Sequence, residues 1–293
     1  MTQWVFLNHQ FVPTEQATIS IMDRGLLFGD SVYEVVPYYA GKPLHLDEHL
    51  QRLQESLTAI RCLPDNLPSK EGFVSLIKEL LQKNDQCQSS ALIYIQITRG
   101  VEQTRSHALP DNPTPTIIMF LLPFEPPHID KLAKGLSAIT MLDQRWAMCH
   151  IKTTALLGNL MLLDQAHQQH VNEGIFIRDG YITESTSSNI FIVQNETVLT
   201  PVADHSILNG ITRRLIIDLV QQAGFEMKVQ PISESQLLQA DEIWLTSASK
   251  EITPVLNVNH KPVGEGYPGL IWQQMIKYYQ NYRNQLPKLF NER

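Results

Sequence analysis

The feature that most constrains this chain is a run of prolines near its middle, Pro123-Phe124-Glu125-Pro126-Pro127. A proline ring fixes φ and removes an amide donor, so neither a helix nor an interior strand passes through such a run. The run predicts an interdomain linker over 123–130, an N-terminal domain over 1–122 and a larger C-terminal domain over 131–293. With 293 residues, 43% of them hydrophobic, the chain has apolar side chains enough for a core on each side.

Upstream of the prolines, Val5-Phe6-Leu7 and Phe11-Val12 flank Asn8-His9 as a hairpin, and 19–30 ends in a glycine-punctuated loop. A β-rich run follows over 32–39. Asp47 is the expected N-cap of a helix whose stripe is Leu50, Leu53, Leu57 and Ile60. A second helix is expected over 71–83, then strands over 91–98 and 116–122. Downstream, strands are expected over 135–141, 175–178, 181–183, 190–193, 227–231 and 242–246. Helices are expected over 158–170, over 211–223 with Gly224 closing it, and over 270–282. The pattern is α/β with α+β character, in two domains.

The net charge is −7 and no basic block occurs, which argues against nucleic acid or an anionic membrane as partner. Three cysteines, an odd number, suit a reducing compartment and no disulfide framework. The first residues lack the basic and apolar regions of a signal peptide, and no stretch reaches membrane-spanning length. The expected location is the cytoplasm.

Candidate chemistry centres on Lys152, in His150-Ile151-Lys152-Thr153-Thr154-Ala155. An ammonium among small and apolar residues, with a helix expected just after it, loses hydration; its pKa falls and the amine becomes a nucleophile toward carbonyls. Most single lysines are instead solvated surface charges. Asn209-Gly210-Ile211-Thr212 opens a helix whose free amides, with the Thr212 hydroxyl, suit a phosphate, although an ordinary Asn-Gly cap has the same appearance. Ser247-Ala248-Ser249 follows a strand and offers further backbone donors, or is a plain polar turn. Arg52 lies off its helix's apolar stripe, either paired with Glu48 and Glu55 or binding phosphate. Glu184 is a solvated turn residue, or a carboxylate holding a proton on a pyridine nitrogen. In an extended Arg105-Ser106-His107, guanidinium and imidazole face one side and suit a small carboxylate; a mobile polar loop is the plainer reading. Asp164, His167 and His170 sit among glutamines and read as a solvated helix face, so no metal is expected. No GxGxxG or P-loop pattern occurs.

Taken in order, these stretches resemble the fold-type IV pyridoxal-phosphate (PLP) enzymes, the branched-chain and D-amino-acid aminotransferase group. The resemblance rests on residues 23–34, 48–53, 150–152, 183–189, 207–213 and 246–249, and so spans nearly the whole chain. It implies a two-domain fold with a barrel-like sheet in the larger C-terminal domain. It implies that Lys152 carries PLP as a Schiff base, that Glu184 pairs with the pyridine nitrogen and that Leu208 packs on the ring. The phosphate would fall to Arg52, Ile211, Thr212, Ser247 and Ala248. Tyr33, Arg105 and His107 resemble the carboxylate trap of the D-amino-acid enzymes, closest to D-alanine aminotransferases. In those enzymes the arginine and histidine come from the neighbouring subunit, which implies a homodimer with shared active sites and a cleft between domains. The implied reaction is ping-pong transamination between D-alanine and a 2-oxo acid such as 2-oxoglutarate. An L-branched-chain aminotransferase, an aminodeoxychorismate lyase and a PLP-binding protein without turnover are the alternatives. Three positions depart from the pattern: Ser31 where glycine is frequent, His150 where an acid is frequent in the D-amino-acid enzymes, and Ala248, which lacks a hydroxyl some relatives use on phosphate.

Overall fold

The computed structural model describes residues 3–64 and 67–290. The chain divides into two compact units. The first comprises Met1–Pro126, Ile151–Ala155 and Leu286–Arg293, and the second Pro127–His150 and Leu156–Gln285. A junction falls at the Pro126–Pro127 peptide, but the chain also returns to the first unit at 151–155 and again at its end. The return at 151–155 is held by specific contacts. Ile151 is buried in the first unit's core, Thr153 bridges Val32, and the Tyr33 amide donates to the Lys152 carbonyl at 3.0 Å.

In the first unit, strands β1 (Trp4–Leu7), β2 (Gln10–Pro13), β3 (Ser31–Tyr39), β4 (Lys42–Pro43), β5 (Ala91–Thr98) and β6 (Ile117–Pro123) form one sheet in the order β2-β1-β6-β5-β3-β4. Every neighbouring pair is antiparallel. The helices Leu46–Ala59 and Lys70–Lys83 bury Leu50, Leu53, Leu57, Phe73, Ile77 and Leu80 in a core with Val36, Ile93, Ile95 and Met119. Each such side chain contributes about 1.5–3 kcal/mol on burial, so packing of the stripes outweighs intrinsic helix propensity here.

Two local expectations need correction. The helix begins at Leu46 with left-handed His45 as N-cap and no side-chain cap, and Asp47 lies inside the first turn, where its charge suits the positive helix end. The glycine-punctuated loop contains a short helix, Arg24–Phe28. Asp23 caps it by accepting from the Gly25 amide at 2.7 Å, and Gly29 ends it at φ +64, a conformation a side chain disfavours.

In the second unit, β7 (Leu136–Leu142), β8 (Glu173–Arg178), β9 (Tyr181–Ser185), β10 (Asn189–Gln194), β11 (Thr197–Thr200), β12 (Glu226–Val229), β13 (Glu242–Ser247) and β14 (Glu251–Val258) form a sheet in the order β12-β11-β10-β13-β14-β7-β8-β9. The short β15 (Lys261–Pro262) pairs with β14. The pairs β11/β12, β14/β7 and β7/β8 are parallel and the rest antiparallel. Strand β9 lies alongside β10 without joining its ladder, so the sheet curls toward closure as a barrel-like structure. Pro254 interrupts the pattern that would have predicted β14. The fold accommodates it because β7 joins β14 only from Val255 onward. The helices Leu157–Gln168, Ile211–Gln222 and Leu270–Gln285 belong to this unit. Among the described residues no helix is long and apolar enough to cross a membrane.

Candidate active site

In the first unit, Lys152 lies in an irregular segment five residues before the Leu157–Gln168 helix, which starts one residue ahead of its expected beginning. Its backbone is fixed by β3 on one edge: the Tyr33 amide binds the Lys152 carbonyl, and the Thr154 amide binds the Ser31 carbonyl at 3.1 Å. The side chain is half-buried, with Nζ 4.3 Å from the centre of the Tyr33 ring. Among the described residues no ion pair joins this ammonium to a carboxylate, and the aromatic face is its neighbour instead. Tyr33 in turn stacks on Tyr94 at 5.6 Å. Ser31 shares a hydrogen bond with Thr154 and accepts one from Gln96 at 3.2 Å, so its hydroxyl ties the lysine segment to β5.

Arg52 is buried, and it pairs with Glu34. Its Nε and Nη2 donate to the two carboxylate oxygens of Glu34 at 2.7 and 2.8 Å, a bidentate pair. His49 Nδ1 lies 2.7 Å from Glu34 Oε2. Burial alone would keep the Glu34 carboxyl protonated, but the charge and hydrogen bonds of Arg52, with His49, hold it well below the usual carboxylate range. Burial lowers the His49 pKa against the pull of Glu34, and the positive charges of Arg52 and Lys152 lower it further. Lys152, Tyr33, His49, Glu34 and Arg52 thus form one cluster.

Arg105 and His107 are exposed, and both pack on Phe28: the Arg105 guanidinium lies 4.8 Å from the ring centre and the His107 ring 5.5 Å. The loop is held by Arg24, which donates to the carbonyls of Ser106 at 2.8 Å and Ala108 at 3.2 Å while pairing with Asp30. Among the described residues no hydrogen bond or ion pair joins this pair to Tyr33 or Lys152.

In the second unit, Glu184 lies near the end of β9 and is buried, not a solvated turn residue. One carboxylate oxygen pairs with Arg145 Nη1; the other accepts the Leu208 amide at 3.0 Å and Asn189 Nδ2 at 3.4 Å. Arg145 also makes a bidentate pair with Asp143 at 2.9 Å through each nitrogen, and lies 4.6 Å over the Phe176 ring. Burial pushes the Glu184 carboxyl up, and the Arg145 charge opposes that push. Asn189 gathers the remaining candidates: its side chain donates to the Leu208 carbonyl at 2.8 Å, and its backbone registers with Thr246, just before Ser247 and Ala248. The Ile211–Gln222 helix starts at Gly210 with no side-chain cap, leaving its first amides without that partner. A Cβ at Gly210 would fall 2.1 Å from Asn189 Oδ1, so a side chain there would have to displace the Asn189 amide. His150 is exposed. Among the described residues no group of three or more His, Cys, Asp or Glu is placed to hold a metal ion.

Sequence reasoning missed Glu34, His49, Arg145 and Asn189. Glu34 was legible: Val32, Glu34 and Val36 alternate along β3, so a carboxylate occupies an inward register. Arg145 carried no comparable signal, because its partners are 2 and 39 residues away and meet it only in the folded sheet.

The first unit thus carries a lysine amine over an aromatic ring, and the second a buried carboxylate fixed by three donors and a helix start without a side-chain cap. The sequence model of the class IV amino-transferases matches residues 31–258. The D-alanine aminotransferase of Listeria monocytogenes is 37% identical over 277 residues, 94% of either chain. That of Bacillus licheniformis is 34% identical over 277 residues, 94% of this chain and 96% of its own. Among solved structures, Escherichia coli branched-chain amino acid aminotransferase matches with a TM-score of 0.88 at 26% identity, over 100% of this chain and 97% of its own. The T.th. branched-chain amino acid aminotransferase, solved with pyridoxamine 5'-phosphate, matches with a TM-score of 0.86 at 25% identity, over 99% of each chain. This chain belongs to the class IV aminotransferases. It is accordingly a PLP-dependent enzyme acting on amino acids and 2-oxo acids.

Proposed function

We propose that the chain exchanges an amino group between a D-amino acid, D-alanine foremost, and a 2-oxo acid such as 2-oxoglutarate. The observation that supports this most is the Arg105-x-His107 pair on Phe28, in a chain similar along 94% of its length to D-alanine aminotransferases. When bound, PLP supplies an electron sink for the charge that develops at the substrate α-carbon. Lys152 Nζ would anchor it and would take up and return the α-proton; the Tyr33 amide holds the Lys152 backbone carbonyl and the Tyr33 ring faces its ammonium. The Glu184 carboxylate keeps a proton on the pyridine nitrogen, with Arg145 and the Leu208 amide maintaining its charge and direction. Leu208 would pack on the ring. Arg52, aimed by its pair with Glu34, takes the phosphate together with Ile211, Thr212, Ser247 and Ala248; a backbone amide at 248 donates whatever the side chain. Tyr33, Arg105 and His107 take the substrate carboxylate, the last two acting across a homodimer interface. The free, reduced-compartment character of the cysteines supports a cytoplasmic setting.

The names of the solved relatives favour a second reading, transamination of L-branched-chain amino acids. Mixing the yellow holoenzyme separately with D-alanine, L-leucine and aminodeoxychorismate distinguishes these readings. Loss of the visible band with D-alanine is expected; bleaching by L-leucine and not by D-alanine would overturn the substrate assignment.

A further inference from the structure

Lys250 is unaccounted for by the roles above. It closes the Ser247–Lys250 turn, where its amide donates to Ser247 Oγ at 3.2 Å, and its side chain leaves that turn altogether. Nζ reaches Glu173 Oε1, Ser187 Oγ at 3.0 Å and Ser188 Oγ at 3.4 Å. An ammonium has three donors, and all three are used. Lys250 is therefore not placed to bind an anion itself. Glu173 is buried and works in the same direction: its other oxygen accepts from Thr186 Oγ1, with Ser185 Oγ at 3.5 Å. One ion pair thus fastens four consecutive hydroxyl residues, Ser185 to Ser188, which directly follow Glu184, to the turn that carries Ser247 and Ala248.

We propose that the Lys250–Glu173 pair is a positioning brace that sets the spacing between the end of β9 that carries Glu184 and the Ser247–Ala248 turn before the cofactor arrives. This rests on the reading in which Glu184 serves the pyridine nitrogen and Ser247–Ala248 the phosphate. A ligand that engages both gains when their separation is fixed in advance, because the ordering cost has already been met. A ligand that engages only one gains nothing from the brace. PLP is of the first kind; pyridoxal, which lacks the phosphate, is of the second. The brace also bears on Ala248, whose missing hydroxyl makes the phosphate turn depend more on its backbone amide and hence on where that turn is held.

The test is equilibrium binding of PLP and of pyridoxal to wild type, Lys250→Met, Lys250→Arg and Glu173→Gln, with thermal melting of each apoprotein alongside. Lys250→Met and Glu173→Gln are expected to weaken PLP by about tenfold and pyridoxal by less than about threefold, with Lys250→Arg staying within about threefold of wild type for both. Should Lys250→Met fail to fold, Glu173→Gln and Lys250→Arg, which keep the side-chain shapes, carry the comparison. PLP binding unchanged in Glu173→Gln, or an equal loss of PLP and pyridoxal, would overturn the brace and leave the cofactor reading standing. Failure of wild type to bind PLP at all would overturn the cofactor reading itself.

Discussion

Replacing Arg145 with methionine removes the cation shared by two buried carboxylates. Asp143 keeps Arg178 at 3.0 Å and the Thr183 hydroxyl at 2.9 Å, so its site survives. Glu184 keeps the Leu208 amide and the more distant Asn189 nitrogen, both neutral. Breaking a buried ion pair from one side costs about 3–5 kcal/mol. Expressed at the carboxylate left behind, this is an upward pKa shift. Burial already pushes the Glu184 carboxyl up in the intact protein, so removing the Arg145 charge drives it further in the same direction. The ionised fraction at neutral pH then falls, and the transamination rate falls with it by about tenfold. The loss is in charge, so it reverses as the pH rises through the alkaline range. The assay is kcat against pH for wild type and variant over that range. A variant with the wild-type rate at pH 7, or one depressed equally at every pH, would refute the argument that Arg145 acts by keeping Glu184 ionised.

Lys152→Ala is expected to abolish turnover, and borohydride treatment of wild type with PLP should place the pyridoxyl label on the peptide containing Lys152; a label elsewhere removes its assigned role. Arg105→Leu should raise the KM for D-alanine by about tenfold or more with a smaller change in kcat, as for loss of a charged hydrogen-bond donor to a carboxylate; an unchanged KM would take Arg105 out of substrate binding. Acid stability follows from Glu34, Asp30 and Asp143, whose carboxyls burial would raise but neighbouring arginines hold below their ordinary values. Such groups bind more protons unfolded than folded, so their contribution is complete above the unfolded range near about 4 and is lost as pH falls below it. Chemical denaturation at pH 7 and at pH 3 measures this, and Glu34→Gln should be less stable at pH 7 and show a smaller acid loss than wild type; an acid loss equal to wild type's would exclude Glu34 from it.

What could be read along the chain was whatever is coded by near neighbours. The stripe Leu50, Leu53, Leu57 and the run Ile211, Leu215, Ile216, Leu219, Val220 announce buried helix faces because a period of about 3.6 residues brings them to one side. The same locality explains the misses. His45 caps its helix through a left-handed backbone, which no side-chain preference at Asp47 reveals. The strand β14 was hidden because Pro254 is forbidding only where a partner strand needs its amide, and β7 does not reach it.

For the site, residue types and their order were enough to mark Lys152, Glu184, Arg52 and the Asn209–Thr212 helix start as candidates, since each carries its chemistry in its own side chain or in the backbone beside it. Tertiary structure decided what surrounds them. Glu34 reaches Arg52 across 18 residues, Arg145 reaches Glu184 across 39, and Lys250 reaches Glu173 across 77. An ionised side chain is stabilised by whatever charge lies within a few ångströms, and in a folded sheet that neighbour is set by strand order and register, which short-range sequence patterns do not encode.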